Sequence, residues 1–181
     1  MLSKCVLVVA LIFGVALGGF AQETPESLPI ELEVLKASVG VWDAEIEVWP
    51  NGPDSPSITF KGVETIRPYG EYWIASDFDS EYMGETVRVH SIVGYDLDEK
   101  KLVGTIVDHG PYAARMTGEY DVESKTVRWL TEAKYPNGTP MVQKTLVTQE
   151  SPNERVLVLM ASGEKHGDSA KSMQIRFVKR K

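Results

Sequence analysis

The side chains able to do chemistry are few and scattered: His90, His109, His166 and a single cysteine, Cys5. His109 follows Asp108, and such a pair suggests a carboxylate steering an imidazole that acts as a general base. Neighbouring residues on an extended strand point to opposite faces, so the two meet only across a bulge or turn. Asp108-His109-Gly110-Pro111 reads as a turn, which makes Asp108 and His109 rim residues. His90 shares the parity of Arg88 and opposes Val87, Val89 and Val93, so its imidazole is expected to face solvent. His166 stands in the polar stretch Gly163-Glu164-Lys165-His166-Gly167-Asp168. The sequence contains no zinc-binding His-Glu-x-x-His, no Gly-x-Ser-x-Gly elbow and no phosphate loop, the patterns that tie such residues to a reaction. The expectation is a non-enzyme with no metal site and no cofactor.

The 181 residues carry 19 basic and 26 acidic side chains, a net charge of −7. With 43% hydrophobic residues the chain is too apolar to be disordered and is long enough for one globular domain. The acid excess argues against nucleic acid, whose backbone is bound by clustered Lys and Arg, and against an anionic membrane surface.

The N-terminus, Met1 to Lys4, leads into an apolar run from Cys5 to Phe20 that closes on Gly19-Phe20-Ala21. A short positive start, an apolar stretch and a small-x-small ending are the parts of a secretory signal peptide, assigned here to residues 1–21. The run is shorter than the roughly 20 residues that span a bilayer. Removing it takes away Lys4 and Cys5 and leaves 18 basic against 26 acidic groups, a net charge of −8. The exported form, periplasmic or secreted, then has no membrane segment and no thiol, so disulfides and Cys-based zinc sites are excluded.

Gln22 to Pro29 is polar and broken by proline, a disordered leader. Residues 30–181 then form a single domain. Leu32, Leu35 and Val39 are spaced for a helix over Ile30 to Val39, with Gly40 as its end. Beyond Gly40 the chain alternates. Trp42, Ala44, Ile46 and Val48 share one parity against Asp43, Glu45 and Glu47, the pattern of a half-buried strand. Further β-rich runs cover Ile58–Arg67, Tyr72–Tyr82, Thr86–Tyr95, Lys101–Asp108, Tyr112–Asp121, Lys125–Lys134, Pro140–Gln149, Arg155–Ala161 and Lys171–Lys179. Short polar turns join them, with Asn137-Gly138 the strongest hairpin signal. Tyr95-Asp96 through Leu102 is echoed 25 residues later by Tyr120-Asp121 through Val127, which reads as two solvated hairpin tips. Ten consecutive antiparallel strands tend to curl and close, so the fold expected is all-β, a roughly ten-stranded up-and-down barrel preceded by one short helix.

Gly40-Val41-Trp42-Asp43, Gly70-Glu71-Tyr72-Trp73, Tyr82-Met83-Gly84, Gly94-Tyr95-Asp96, Gly118-Glu119-Tyr120-Asp121 and the basic end Arg176 to Lys181 occur in that order. Together they resemble the bacterial domain-of-unknown-function family 1579, and Gly-x-Trp is similar to the opening of the calycin barrels (lipocalins, fatty-acid-binding and nitrobindin-like proteins). The resemblance implies a calycin-like barrel whose tryptophan packs across the closed end. It carries no established activity or ligand. Lipocalins usually place an arginine from the last strand over that tryptophan. Here Met173, Ile175 and Phe177 hold the apolar parity, which turns Arg176 outward.

Inward parity also collects a candidate lining of Trp42, Ser76, Ser91, Tyr95, Tyr112, Tyr120, Trp129 and Thr131. An apolar surface with a few hydroxyls suits a small apolar or amphipathic ligand; the same residues equally suit a packed, ligand-free barrel serving as an interaction module. Intact-mass analysis of the protein from its native host checks the export assignment. A mature chain beginning at Gln22 is expected, and retention of residues 1–21 would contradict it.

Overall fold

A computed structural model describes residues 29–160 and 170–181. The expected signal peptide, most of the leader and His166 lie outside the described residues. One helix, α1 (Ile30–Ala37), precedes ten strands: β1 (Gly40–Val48), β2 (Ile58–Tyr69), β3 (Trp73–Tyr82), β4 (Glu85–Asp96), β5 (Lys101–Val107), β6 (Ala114–Asp121), β7 (Thr126–Lys134), β8 (Pro140–Ser151), β9 (Glu154–Met160) and β10 (Lys171–Lys179). Each strand pairs antiparallel with the next, and β1 also pairs with β10, so the sheet closes on itself. The expected meander barrel is the observed one.

Closure fixes which residues face inward. Trp42 lies opposite Glu64 on β2 and Lys179 on β10, while Ile46 lies opposite Phe60 and Ile175. The same parity runs through Phe78, Ser91, Met116, Thr131, Thr145 and Leu157. Inward and outward sets result directly from the two-residue period.

α1 covers the barrel end at which β1 begins. It buries Leu32 and Leu35, and Leu35 joins a cluster with Trp42, Ile66, Ile74, Tyr95 and Leu102. Trp42 is completely buried. Its indole Nε1 donates to the Ser38 carbonyl at 2.8 Å, and the Ser38 hydroxyl donates to the Leu35 carbonyl at 2.6 Å. The helix stops at Ala37, two residues before the expected Val39, and the tryptophan satisfies a carbonyl left open at its C-terminus.

Two other boundaries shift for physical reasons. β2 runs through Pro68 to Tyr69, past its expected end at Arg67. β1 pairs with β2 only as far as Ile66, so Pro68 lies where one side of the strand is unpaired, a position that tolerates a residue without N–H. β6 begins at Ala114 and not at Tyr112, since Pro111 and the turn before it hold the chain out of the ladder.

The internal echo is one turn built twice. Asp96 Oδ1 accepts from the Asp98 and Glu99 N–H groups at 2.9 Å, and Asp121 Oδ1 from Glu123 and Ser124 at 3.1 Å. Lys100 and Lys125 then take φ of 52° and 51°. Asn137-Gly138 forms the β7–β8 turn, with Gly138 N–H donating to the Tyr135 carbonyl at 2.8 Å.

Trp42→Ala removes the largest fully buried side chain and should cost about 3–5 kcal/mol of stability. Urea unfolding checks it; a loss below about 1 kcal/mol, typical of a surface site, would place the end seal elsewhere.

Candidate functional site

Around the barrel floor, β1, β2, β9 and β10 bring together side chains that sequence reasoning did not associate. Arg155 at the start of β9 points inward, and its guanidinium carbon lies 4.5 Å from the Trp42 ring centroid and 4.4 Å from that of Phe177. Its Nη2 donates to Glu64 Oε2 on β2, and the Ser76 hydroxyl on β3 donates to Glu64 Oε1 at 2.5 Å. Both charged side chains are largely enclosed, Arg155 10% and Glu64 16% exposed. The Arg155 Nε–H has no acceptor among the described residues and is sealed from solvent. Burial pushes the guanidinium below its ordinary value, and the Glu64 carboxylate opposes that shift. An arginine remains charged at any ordinary pH, so the floor is a neutral ion pair stacked on two rings. On the capped side, the Lys179 ammonium lies 5.2 Å from the Trp42 centroid and donates to the Ala37 carbonyl at 3.1 Å.

The arginine over the barrel-end tryptophan thus exists, but it comes from β9. Arg176 faces out, as its parity implied, and pairs with Glu150 at 3.4 Å. Arg155 was missed because β9 is apolar on both faces: Val156 and Val158 point outward, Leu157 and Leu159 inward. Glu64 carried a legible signal, since it shares the parity of Phe60 and Ile66.

Above the floor Ile46, Ile175, Met116 and Thr131 are buried, and the rest of the wall is less enclosed. Ser91, Thr145, Leu157 and Ile106 face inward and are nonetheless only half-buried, as are Phe60, Val89 and Met173 toward the far end. Two rings lie back against the wall. A Cβ on Gly62 would meet Phe78 at 2.9 Å, and one on Gly118, opposite Trp129, would meet that ring at 2.6 Å, so both rings need a glycine beside them. Phe60 and Tyr82 form an aromatic pair at the open end, centroids 5.0 Å apart.

The expected lining residues divide by depth. Ser91 belongs to the half-buried wall, whereas Thr131 and Trp129 are buried, Trp129 in one cluster with Trp42. Ser76 belongs to the floor, its hydroxyl already given to Glu64. Trp42 and Tyr95 lie in the cluster at the capped end, where burial raises the Tyr95 phenol pKa, with the Glu31 carboxylate of α1 adding to the shift. Tyr120 is half-buried against the same cluster. Tyr112 is not a lining residue: it stands 42% exposed in the β5–β6 loop, with the Lys134 ammonium 5.5 Å from its ring centroid.

Asp108 and His109 occupy that same loop at the open end, both exposed. Asp108 Oδ1 accepts from the Gly110 N–H at 2.6 Å, so the carboxylate shapes the turn and does not steer His109. His90 lies on the outer wall, its Nδ1 2.7 Å from Asp77 Oδ1, with Arg67 on the other carboxylate oxygen. The His90 hydrogen bond, with the Arg67 charge adding to it, holds the Asp77 carboxyl below its usual range against the cost of desolvation. Among the described residues no three His, Cys, Asp or Glu converge on a metal position. A trough on the outer wall, between Asp43, Glu45, Lys61, Asp79, Glu81 and Arg176, is broad and open. Asp43, Asp79 and Arg176 there are already paired with Arg180, Arg88 and Glu150.

A closed antiparallel barrel, capped by a helix and floored by an arginine on a tryptophan, is a calycin-like barrel. The chain belongs to the family described as "Protein of unknown function (DUF1579)", which matches residues 30–179. No curated protein matches it. Among solved structures it is similar to Rv2717c from M. tuberculosis, at 7% identity and a TM-score of 0.64, over 86% of this chain and all of that one. It is also similar to the S-type phycobiliprotein lyase CPES from Guillardia theta, at 13% identity and a TM-score of 0.54, over 85% and 94% of the two chains. At these identities the likeness is one of fold.

Removing one partner of a buried pair leaves the other uncompensated. Arg155→Met should therefore cost about 3–5 kcal/mol, and Arg155→Met with Glu64→Leu should recover most of it. Urea unfolding of both variants checks this. A single-variant loss within about 1 kcal/mol, the range of an exposed pair, would contradict the buried floor.

Proposed function

We propose that this protein is an exported, non-catalytic barrel that holds one small hydrophobic or amphipathic molecule in its interior. Entry is through the end bordered by the β1–β2, β5–β6 and β7–β8 connections. The observation that carries this reading is the solvent reach of Ser91, Thr145 and Leu157, which point toward the barrel axis. A packed barrel of this size would bury those positions as completely as it buries Trp42. Phe78 meets the Phe177 ring edge-on, centroids 6.4 Å apart, and so belongs to the floor beneath that space. The mixture of apolar wall and isolated hydroxyls is what orients a small ligand. The N-terminal segment supports export, to the periplasm or beyond. Asp108 and His109 then serve as mouth residues with no chemical step assigned to them.

Titration with Nile red, an uncharged apolar dye, tests the proposal. A saturable blue-shifted emission at one dye per chain is expected. Ser91→Trp, which fills the axis, should abolish it while costing no more than about 1 kcal/mol of stability, the lower end of what overpacking costs. No saturable binding by the wild type, together with a loss at the upper end of the roughly 1–3 kcal/mol that overpacking costs, would establish a solid barrel instead.

A further inference from the structure

We infer that the interior selects an uncharged amphipath, such as a long-chain alcohol or a neutral ester, over a carboxylate or an ammonium of the same chain length. The inference rests on the interior being a ligand site and adds the chemical class of its occupant.

The charge inventory of the inward face carries the argument. Among the described residues, Arg155 and Glu64 are the charged groups that point into the barrel between the capped end and the mouth. They are paired with each other. Lys179 lies on the capped side of Trp42 and is engaged with the Ala37 carbonyl. Lys171 is held over Trp49, 4.4 Å from its ring centroid, and donates to Gln174. Glu85 is exposed at the β3–β4 turn.

An anionic head group entering the barrel would find the Arg155 charge already balanced by the Glu64 carboxylate. Nη2 is on Glu64, and the unpartnered Nε is sealed from solvent. It would also meet the Glu64 carboxylate at close range. A cationic head group would find the Glu64 charge already balanced by Arg155, with the second oxygen accepting from the Ser76 hydroxyl. Either ion would lose its hydration without gaining a counter-ion, a cost that an isolated buried charge does not recover.

Neutral polar groups are better provided for. Ser91 on β4 and Gln143 and Thr145 on β8 are half-buried and inward, and Thr131 is the register partner of Gln143. β4 and β8 stand four strands apart around the ring, so hydroxyl and amide groups face one another across the interior. They can bind an alcohol or an ester as donor or acceptor, while Phe78, Leu157 and Met173 receive the chain.

Displacement of Nile red by decanol, decanoate and decylammonium at neutral pH tests the inference. Decanol should displace at least about tenfold more tightly than either ion, since each ion must be desolvated unpaired. Glu64→Gln releases the Arg155 charge and should shift the decanoate-to-decanol ratio about tenfold toward decanoate, because a buried guanidinium without its partner takes up an anion. If that variant does not fold, Arg155→Met with Glu64→Leu replaces it and should keep the preference for decanol. Nile red binding with decanoate or decylammonium preferred by the wild type would overturn the inference and leave the binding reading standing. Absence of Nile red binding would overturn both.

Discussion

A guanidinium taken out of water has to be compensated by whatever surrounds it, and Arg155 is compensated in two ways. The Glu64 carboxylate neutralises its charge, while the rings of Trp42 and Phe177 take its faces. Those contacts come from strands distant in sequence, since Glu64 lies 91 residues before Arg155. The Glu64 and Trp42 contacts can form only after β1 has joined β10 and the sheet has closed, whereas Phe177 is already the register partner of Arg155 on β10. The ion pair and barrel closure are therefore one constraint. A buried pair is a poor source of net stability, because desolvation offsets much of the attraction. Its effect here is positional: it fixes where the floor lies and leaves the space above it uncharged.

That position sets what the barrel can do. Below the pair, α1 and the Trp42 cluster exclude water. Above it, the inward side chains of Ser91, Thr145 and Leu157 are only half-buried. In the proposed function the barrel has a sealed end and a receptive end with a neutral divider between. The chemistry proposed for that space is recognition of shape and neutral polarity. The Asp108 turn, the Asp77–His90 pair and the scattered histidines do not converge on a reacting centre among the described residues.

Much of the architecture is legible from alternation alone. Strand periodicity in β1, β4 and β7 places Trp42, Val89 and Trp129 on the inner face, where they are. The 25-residue echo marks two turns of the same build. The floor is harder to read because its members break the pattern used to find it. Arg155 and Glu64 are charged residues at inward positions, and β9 lacks the wet face that would reveal its parity. Tyr112 was misplaced because an aromatic beside a strand looks like part of it, whereas Pro111 and the Asp108 turn keep it outside. Partnership between β2 and β9 across a closed ring has no local signature, so only the fold could bring Glu64 to Arg155.

The central claim is that the Arg155–Glu64 pair divides a sealed end from an interior that solvent and a ligand can enter. A high-resolution crystal structure of the protein from its native host tests this most directly. The account predicts Arg155 stacked on Trp42 and bound to Glu64, with ordered water or ligand density above them between Ser91, Thr131, Gln143 and Leu157. Side chains meeting across the axis at those positions, with no density between them, would contradict it.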